Sequence, residues 1–355
     1  LLIQGEPLFA NFYVVLVGPP GVGKTRALRI GRELLSTLKD FRLSPNSLTR
    51  EKLIDNLASS TKVSTDASGA LITQTAYACF LDELSTFIRH RDYSIMTDLT
   101  DFFDCPKIWR YETLSRGEQV IENLFLTIVG GITPKSIQAN WGETAIGMGF
   151  TARLNFVYSE DVKAIDLFGV EDEPDYTHLI SDLKSIYALH GRFKVTPDAA
   201  KILQSWVSEG MPPMPADTRF AEYNPRRSIH WLKLCMVYSV AESNNLIINT
   251  DHVERARQTL LEAESMLPLV FEHLGQNPLL SALNNIHKWL KIEYGVNREP
   301  IIEHRIRRKL MADVPPQYVD AALQELVSSG LCTVQPTSRG RAFIPVMTRT
   351  GIDDV

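Results

Sequence analysis

The chain is short of cysteine, of long apolar runs and of any large excess of one charge. Four cysteines occur among 355 residues, at Cys79, Cys105, Cys235 and Cys332, and no two form a C-x-x-C pair. Such scatter supports neither a zinc site nor a disulfide framework and is the usage of a protein kept in a reducing cytosol. No stretch approaches the ~18 consecutive apolar residues a membrane helix requires, so no membrane partner is expected. Residues 1–7 have neither a basic nor an apolar signal region, and no secretory signal is expected in them. The first residue is Leu1 rather than Met, and further sequence upstream is expected. Low-complexity tracts and internal repeats are also lacking.

With 44% hydrophobic and 22% charged residues, the composition is that of a globular protein. The length suggests two or three domains. Net charge is −5, which does not mark the whole chain as a polyanion binder. Residues 281–349 nevertheless hold 10 Lys and Arg against 6 Asp and Glu, a basic segment in an acidic protein.

The strongest signal lies near the start. Residues 12–17 read Phe-Tyr-Val-Val-Leu-Val, a buried-strand run. Gly18-Pro19-Pro20-Gly21-Val22-Gly23-Lys24-Thr25 follows, and residues 26–38 then read as a helix. This is G-x-x-x-x-G-K-[ST] between a strand and a helix, the context that gives the motif its meaning. The glycines let backbone N–H groups converge on phosphate oxygens, and the helix N-terminus adds its dipole. Lys24 is expected at the β- and γ-phosphates and Thr25 on Mg²⁺, so the expected ligands are ATP and Mg²⁺.

A second apolar run, residues 76–81, ends in Asp82-Glu83. Acids at the carboxyl end of a parallel strand lie beside a phosphate loop. Asp82 is expected to hold Mg²⁺, and Glu83 to orient and deprotonate the attacking water. Acids are also favoured at any helix N-terminus, and both readings can hold together. A third run, residues 124–131, leads to Thr133, a candidate for touching the γ-phosphate, although Thr before Pro is also plain turn chemistry. A fourth, residues 154–158, is preceded by Arg153. An Arg at the base of a strand suits the arginine-finger role, acting on the nucleotide of a neighbouring subunit; the alternative is a surface Arg paired with an acid.

Four strands with these motifs at their ends resemble the AAA+ superfamily of ring-forming ATPases. Asn224-Pro225-Arg226-Arg227, then a helix over residues 228–242, then a helix opened by Asp251-His252-Val253-Glu254-Arg255-Ala256, is similar to the lid of minichromosome-maintenance helicases. The resemblance implies that Arg226 or Arg227 reads the γ-phosphate. The helix over residues 47–57, the Leu-Asp-Glu-Leu-Ser of residues 81–85, and Gly-Gly-Ile-Thr-Pro followed by Gly-Phe-Thr-Ala-Arg resemble phage and prophage replication ATPases. Where superfamily 3 phage helicases place an Asn, this chain has Thr133.

Residues 107–113 alternate, turn at 115–118 and continue through 121, the pattern of a hairpin inserted at about residues 105–122. In ring helicases of the resembled class such a hairpin points into the channel and grips nucleic acid. Lys107, Arg110 and Arg116 are the candidates for phosphate contact; otherwise this is a solvated hairpin whose Trp109 and Tyr111 pack on the core. After residue 278, three helical segments (279–294, 300–311, 316–329) and a two-stranded ribbon follow in winged-helix order. Arg339 and Arg341 in the wing, with Arg305, Arg307, Arg308 and Lys309 on the second helix, are candidate DNA contacts or simply a solvated face.

The expected fold class is therefore α/β: an AAA+ P-loop core with a parallel sheet over residues 1–165, a helical lid over 166–275 and a C-terminal winged-helix domain over 276–355. The expected function is a ring-forming, hexameric DNA helicase of phage or plasmid replication, working on single-stranded or forked DNA in the cytoplasm of a bacterial or phage-infected cell, with other replication proteins as partners. A helicase loader or replication initiator using ATP as an assembly switch is the alternative. A signalling or defence ATPase with the winged helix as a joint is a third.

Overall fold

A computed structural model describes residues 1–65, 71–89, 92–114, 117–141, 145, 149–162, 174–215, 217–271, 278–311, 319–338 and 340–346. Two compact units divide the chain, Leu1–Leu274 and Gly275–Val355.

The first unit is built on a mixed α/β scaffold. Strand β1 (Tyr13–Val17) is a continuous apolar run with Tyr13, Val15 and Val17 buried and Val14 and Leu16 half-buried, as expected of a strand with neither face open to water. It runs through the glycine loop into helix α1 (Lys24–Ser36). Helix α2 (Arg50–Ser59) follows, its first turn capped by the Thr49 side chain, which accepts from the Lys52 N–H. Strand β2 (Thr61–Thr65) then pairs antiparallel with β3 (Leu71–Leu81). Residues 71–75 thus extend β3 beyond the six-residue run visible in the sequence, because Thr61-Lys62-Val63 offers them an alternating partner strand.

Helix α3 (Tyr93–Phe103) leads to the expected hairpin, β4 (Ile108–Thr113) with β5 (Gly117–Glu122). Strand β6 (Leu124–Ile132) returns to the sheet and β7 (Asn155–Tyr158) completes it. The strand order is β2-β3-β6-β1-β7, with β3, β6, β1 and β7 mutually parallel. Strand alternation sorts the two faces. Cys79 and Leu81 join the main core with Ile95, Met96, Leu99 and Phe102 of α3, whereas Ala78 and Phe80 join a smaller cluster with Leu28 of α1. Each such fully buried large side chain contributes roughly 1.5–3 kcal/mol.

Four longer helices accompany the sheet: α4 (Thr177–Tyr187), α5 (Pro197–Ser208), α6 (Arg227–Ser243) and α7 (Thr250–Val270). Trp206 of α5 meets Trp231 of α6 edge to face at 4.5 Å, at the centre of a cluster that includes Cys235, Met236, Val253 and Leu260. The proline run of residues 211–215 is not helical, as expected from the missing donors.

Helix α6 is tied to the sheet by polar groups. The ring of His230 is buried between Tyr223 and Phe103, and its Nε2 lies 2.9 Å from the Ala152 carbonyl while Nδ1 has no partner among the described residues. The ring is therefore neutral, with the proton on Nε2. Burial, with nearby Lys233, Arg226 and Arg153, lowers its pKa from 6.5 to about 4. The unfolded chain takes up this proton first, so His230 costs no stability above pH 6.5 and destabilises progressively as pH falls towards 4. Between pH 6.5 and 5 the expected loss is about 1.5 kcal/mol. Urea unfolding at the two pH values should register it, and His230→Gln, a neutral donor to the same carbonyl, should remove that part of the slope.

The second unit has its own core. Helices α8 (Pro278–Asn297), α9 (Glu303–Leu310) and α10 (Val319–Ser328) pack Leu283, Ile286, Leu290, Ile306, Leu310, Leu323 and Leu326 around Phe343. Short strand β8 (Ile301–Ile302), which precedes α9, joins β9 (Cys332–Thr337) and β10 (Gly340–Pro345) in an antiparallel sheet of order β8-β10-β9. Three strands thus stand where a two-stranded ribbon was expected. The Ile301-Ile302 pair, β-branched and just after Pro300, is extended and starts the helix only at Glu303.

Candidate functional site

Because β3, β6, β1 and β7 are parallel, their carboxyl ends lie along one edge of the sheet, where ligands of such sheets bind. The loop of residues 18–25 leaves the end of β1 at that edge. Gly18 is pressed between neighbouring strands: a Cβ there would lie 2.2 Å from the Ser159 carbonyl oxygen. Gly21 and Gly23 take φ of +92° and +89°, with nothing within 4 Å of where a Cβ would sit. Gly23 is also the N-cap of α1, and no side chain caps that helix. Its first-turn amides therefore face an open, glycine-lined space, the environment that binds anions. Pro19, Pro20 and Val22 supply the remaining backbone, and Thr25 lies exposed in the first turn.

Lys24 folds back on this loop and donates to the carbonyls of Gly18 (2.7 Å) and Pro19 (2.9 Å). Burial lowers its pKa, and the Glu83 carboxylate partly offsets that. Lys24 and Glu83 thus share one electrostatic neighbourhood, although they stand 59 positions apart in the chain. Glu83 caps the short helix Leu84–Phe87, and its Oε1 accepts from Ser85 Oγ at 2.6 Å. Asp82 follows directly on the end of β3.

Strand β6 lies between β1 and β3, so its carboxyl end separates the glycine loop from the acids. Gly131 is the packing key there. An added Cβ would sit 2.8 Å from the Asp82 carbonyl oxygen and 3.6 Å from Lys24 Cβ. No larger residue fits without pushing the two motifs apart, a role for the Gly130-Gly131 pair that reading the sequence missed. Thr133 lies just beyond β6. Its Oγ1 accepts from the Ser136 N–H and donates to Ser136 Oγ at 2.9 Å, so in this arrangement it caps the helix Pro134–Asn140.

Arg153 is at the opposite edge. It closes a 3₁₀ turn (Thr151–Arg153) just before β7, whose Asn155 is level with Val14, so it stands at the amino end of the sheet, away from Gly18. It donates through Nη1 to the Gly149 carbonyl (3.1 Å) and through Nη2 to Asp104 (2.9 Å). Arg226 lies with it, 3.8 Å from the other oxygen of Asp104, and its pKa is lowered by burial and then by Arg153. Arg226, one of the two arginines expected at the γ-phosphate, stands beside Arg153 and Asp104. For Arg227 the expectation is corrected. It is fully buried, and its five donors are used by Glu264 (2.7 Å twice), the carbonyls of Met211 and Pro213, and Met214 Sδ. No donor is left for a nucleotide.

The hairpin is placed by its inner face. Trp109 stacks on Tyr111 and meets Phe102 of α3 edge to face, and Arg50 of α2 lies over the Tyr111 ring while pairing with Asp98. Its other face presents Arg110 with Glu112, Glu118 and Glu122. Arg110 is paired to Glu118 at 2.5 Å, with both side chains exposed. Lys107 is exposed at the base, and Arg116 lies outside the described residues. In the second unit Arg305 pairs with Glu293, Arg307 with Glu303 and Asp320, and Arg341 with Glu303, while Arg308 and Lys309 are exposed. Arg339 lies outside the described residues.

No protein-family model and no curated protein matches the sequence. Among solved structures, a full-length MCM homologue from Methanopyrus kandleri is similar at 15% identity and a TM-score of 0.37, over 71% of this chain and 51% of that one. The chain thus spans about half the length of that protein. The A form apo structure of the NrS-1 C-terminal region is similar at 11% identity and a TM-score of 0.27, over 95% of this chain and 67% of that one. No described helix is long and apolar enough to cross a membrane.

Proposed function

We propose that the chain is a P-loop ATPase of the AAA+ type that hydrolyses ATP between subunits of a ring and couples this to movement on DNA, as a replicative helicase. One observation carries the reading: an uncapped, glycine-lined helix start with its lysine, at the carboxyl edge of a parallel sheet, one strand removed from Asp82-Glu83. Residues 1–165 form the ATPase core in this account and 166–275 its lid. The three helices and antiparallel sheet of 276–355 act as a winged helix.

In the chemical step Lys24 exchanges the Gly18 and Pro19 carbonyls for phosphate oxygens, and the amides of residues 21–25 hold the remaining charge. Glu83 takes the proton of the attacking water, with Ser85 fixing its carboxylate. Thr133 reaches the γ-phosphate only by giving up Ser136. Thr25 and Asp82 are hard oxygen donors of the kind Mg²⁺ takes, and the ion when bound neutralises charge on the phosphates. In this reading Arg153 and Arg226 act on the nucleotide of the next subunit of a ring, a hexamer, and their place at the opposite end of the sheet from their own loop supports it.

The acidic outer face of the hairpin favours a second reading. With three glutamates beside Arg110, the outer face of the hairpin suits DNA poorly, and contact rests more on Lys107, Arg116 and the second unit's Arg339 and Arg341, the last likewise paired, to Glu303. A helicase loader or initiator, using ATP as an assembly switch, needs no gripping hairpin. Strand displacement on a forked duplex with ATP and Mg²⁺ separates the two, with Glu83→Gln as the inactive control. The helicase reading expects displacement by the wild type alone; hydrolysis without displacement overturns it in favour of a loader.

A further inference from the structure

Three cationic side chains, Arg153, Arg226 and Lys233, converge near Asp104, and the position of that carboxylate is unusual. Its side chain is 57% exposed, whereas those of Arg153 and Arg226 are 9% and 28% exposed. The acid therefore stands on the solvent side of the two arginines, where an incoming anion would have to sit. Arg153 keeps its Nε buried without a partner among the described residues, so the guanidinium is less fully bonded than that of Arg227. Lys233 is buried and donates to the Asn11 carbonyl and Oδ1; burial lowers its pKa to about 8, and Asp104 acts in the opposite direction. Glu222 also acts on Arg226.

The backbone around these groups is fixed from three directions. His230 holds the carbonyl of Ala152, next to Arg153. Lys233 lies 3.8 Å over the ring of Phe103, next to Asp104, and Asn11 donates to the Phe103 carbonyl. Both His230 and Lys233 belong to α6, which begins directly after Arg226. Side chains in such a frame can exchange partners without any movement of the main chain.

We propose that Asp104 is a displaceable internal anion. It holds Arg153 and Arg226 together in the resting subunit and yields its place to the terminal phosphate of nucleotide bound by a neighbouring copy. The proposal rests on the trans role of the two arginines given above. A half-exposed carboxylate makes a weak ion pair, and a phosphate of higher charge with several acceptor oxygens outcompetes it. Asp104 thus sets the ATP concentration at which subunits lock together and leaves the chemical step alone.

The test is nucleotide-driven assembly by sedimentation, with steady-state ATPase rates, for wild type, Asp104→Asn, Asp104→Glu, Arg153→Ala and Arg226→Ala. Asp104→Asn keeps the shape and removes the charge. It should lower the ATP concentration for half-maximal assembly and the KM by about fivefold, with kcat within twofold, while Asp104→Glu stays near wild type. An unchanged or raised KM, or a loss of kcat, in Asp104→Asn overturns the proposal. Asp104→Ser gives the same readout should the Asn variant misfold. If Arg153→Ala and Arg226→Ala both turn over like wild type, the trans reading itself fails; if they are impaired and Asp104→Asn is silent, only the role of Asp104 falls.

Discussion

Arg153→Ala should lower ATP turnover by about 10³-fold or more while nucleotide still binds, since that is the range over which a finger arginine stabilises the transferring phosphoryl group. Lys24→Ala should also be inactive, by about 10²–10³-fold, through loss of charge at the phosphates. The informative result is the mixture. If Arg153 acts on the neighbour's nucleotide, a ring containing both variants has interfaces where the intact Arg153 of one subunit faces the intact Lys24 of the next. Turnover should reappear on mixing two inactive proteins, reaching roughly a quarter of wild type for random equimolar assembly, where one interface in four carries both groups. Measuring ATPase rate against mixing ratio reads this directly. A purely structural role for Arg153, in which its bond to Asp104 only holds the turn before β7, predicts inactive or unfolded protein and no recovery at any ratio. The place of Arg153 at the amino end of the sheet, with Gly18 at the carboxyl end, favours the trans reading.

The same sites show what a sequence can disclose. The glycine loop was legible because its chemistry is local: eight consecutive residues specify a turn, a helix start and a cation. Asp82-Glu83 was legible because a strand ends where its apolar run ends. The hairpin, too, announced itself by alternation around a turn, and its observed strands fall inside the expected insertion. Strand β2 was not legible, since five residues with two β-branched threonines and a valine become a strand only once β3 offers an edge. Nor was Asp104, a polar residue after a helix whose meaning depends on Arg153 and Arg226, 49 and 122 positions later. The choice between Arg226 and Arg227 was undecidable for a related reason. Adjacent residues at a helix start differ in direction by about 100°, and only the packing of α6 against α7 tells which one is buried.

That burial makes Arg227→Met the substitution with the largest expected effect on stability. Removing the guanidinium strands the Glu264 carboxylate, itself only 8% exposed, with Tyr223 as its remaining donor at 2.8 Å. It also strips the carbonyls of Met211 and Pro213 of their donor in the segment that closes over Trp206. An uncompensated buried charge of this kind costs about 3–5 kcal/mol, a large share of the stability of a typical domain. Urea unfolding of the wild type, Arg227→Met, Glu264→Gln and the double variant measures the coupling. The single Arg variant should lose the most, and the double variant should recover part of the loss, because replacing both partners leaves no charge buried. If Arg227→Met instead kept full stability and weakened nucleotide binding, the arginine would be a nucleotide ligand after all. With all five donors satisfied inside the protein, binding should be unchanged in whatever fraction remains folded.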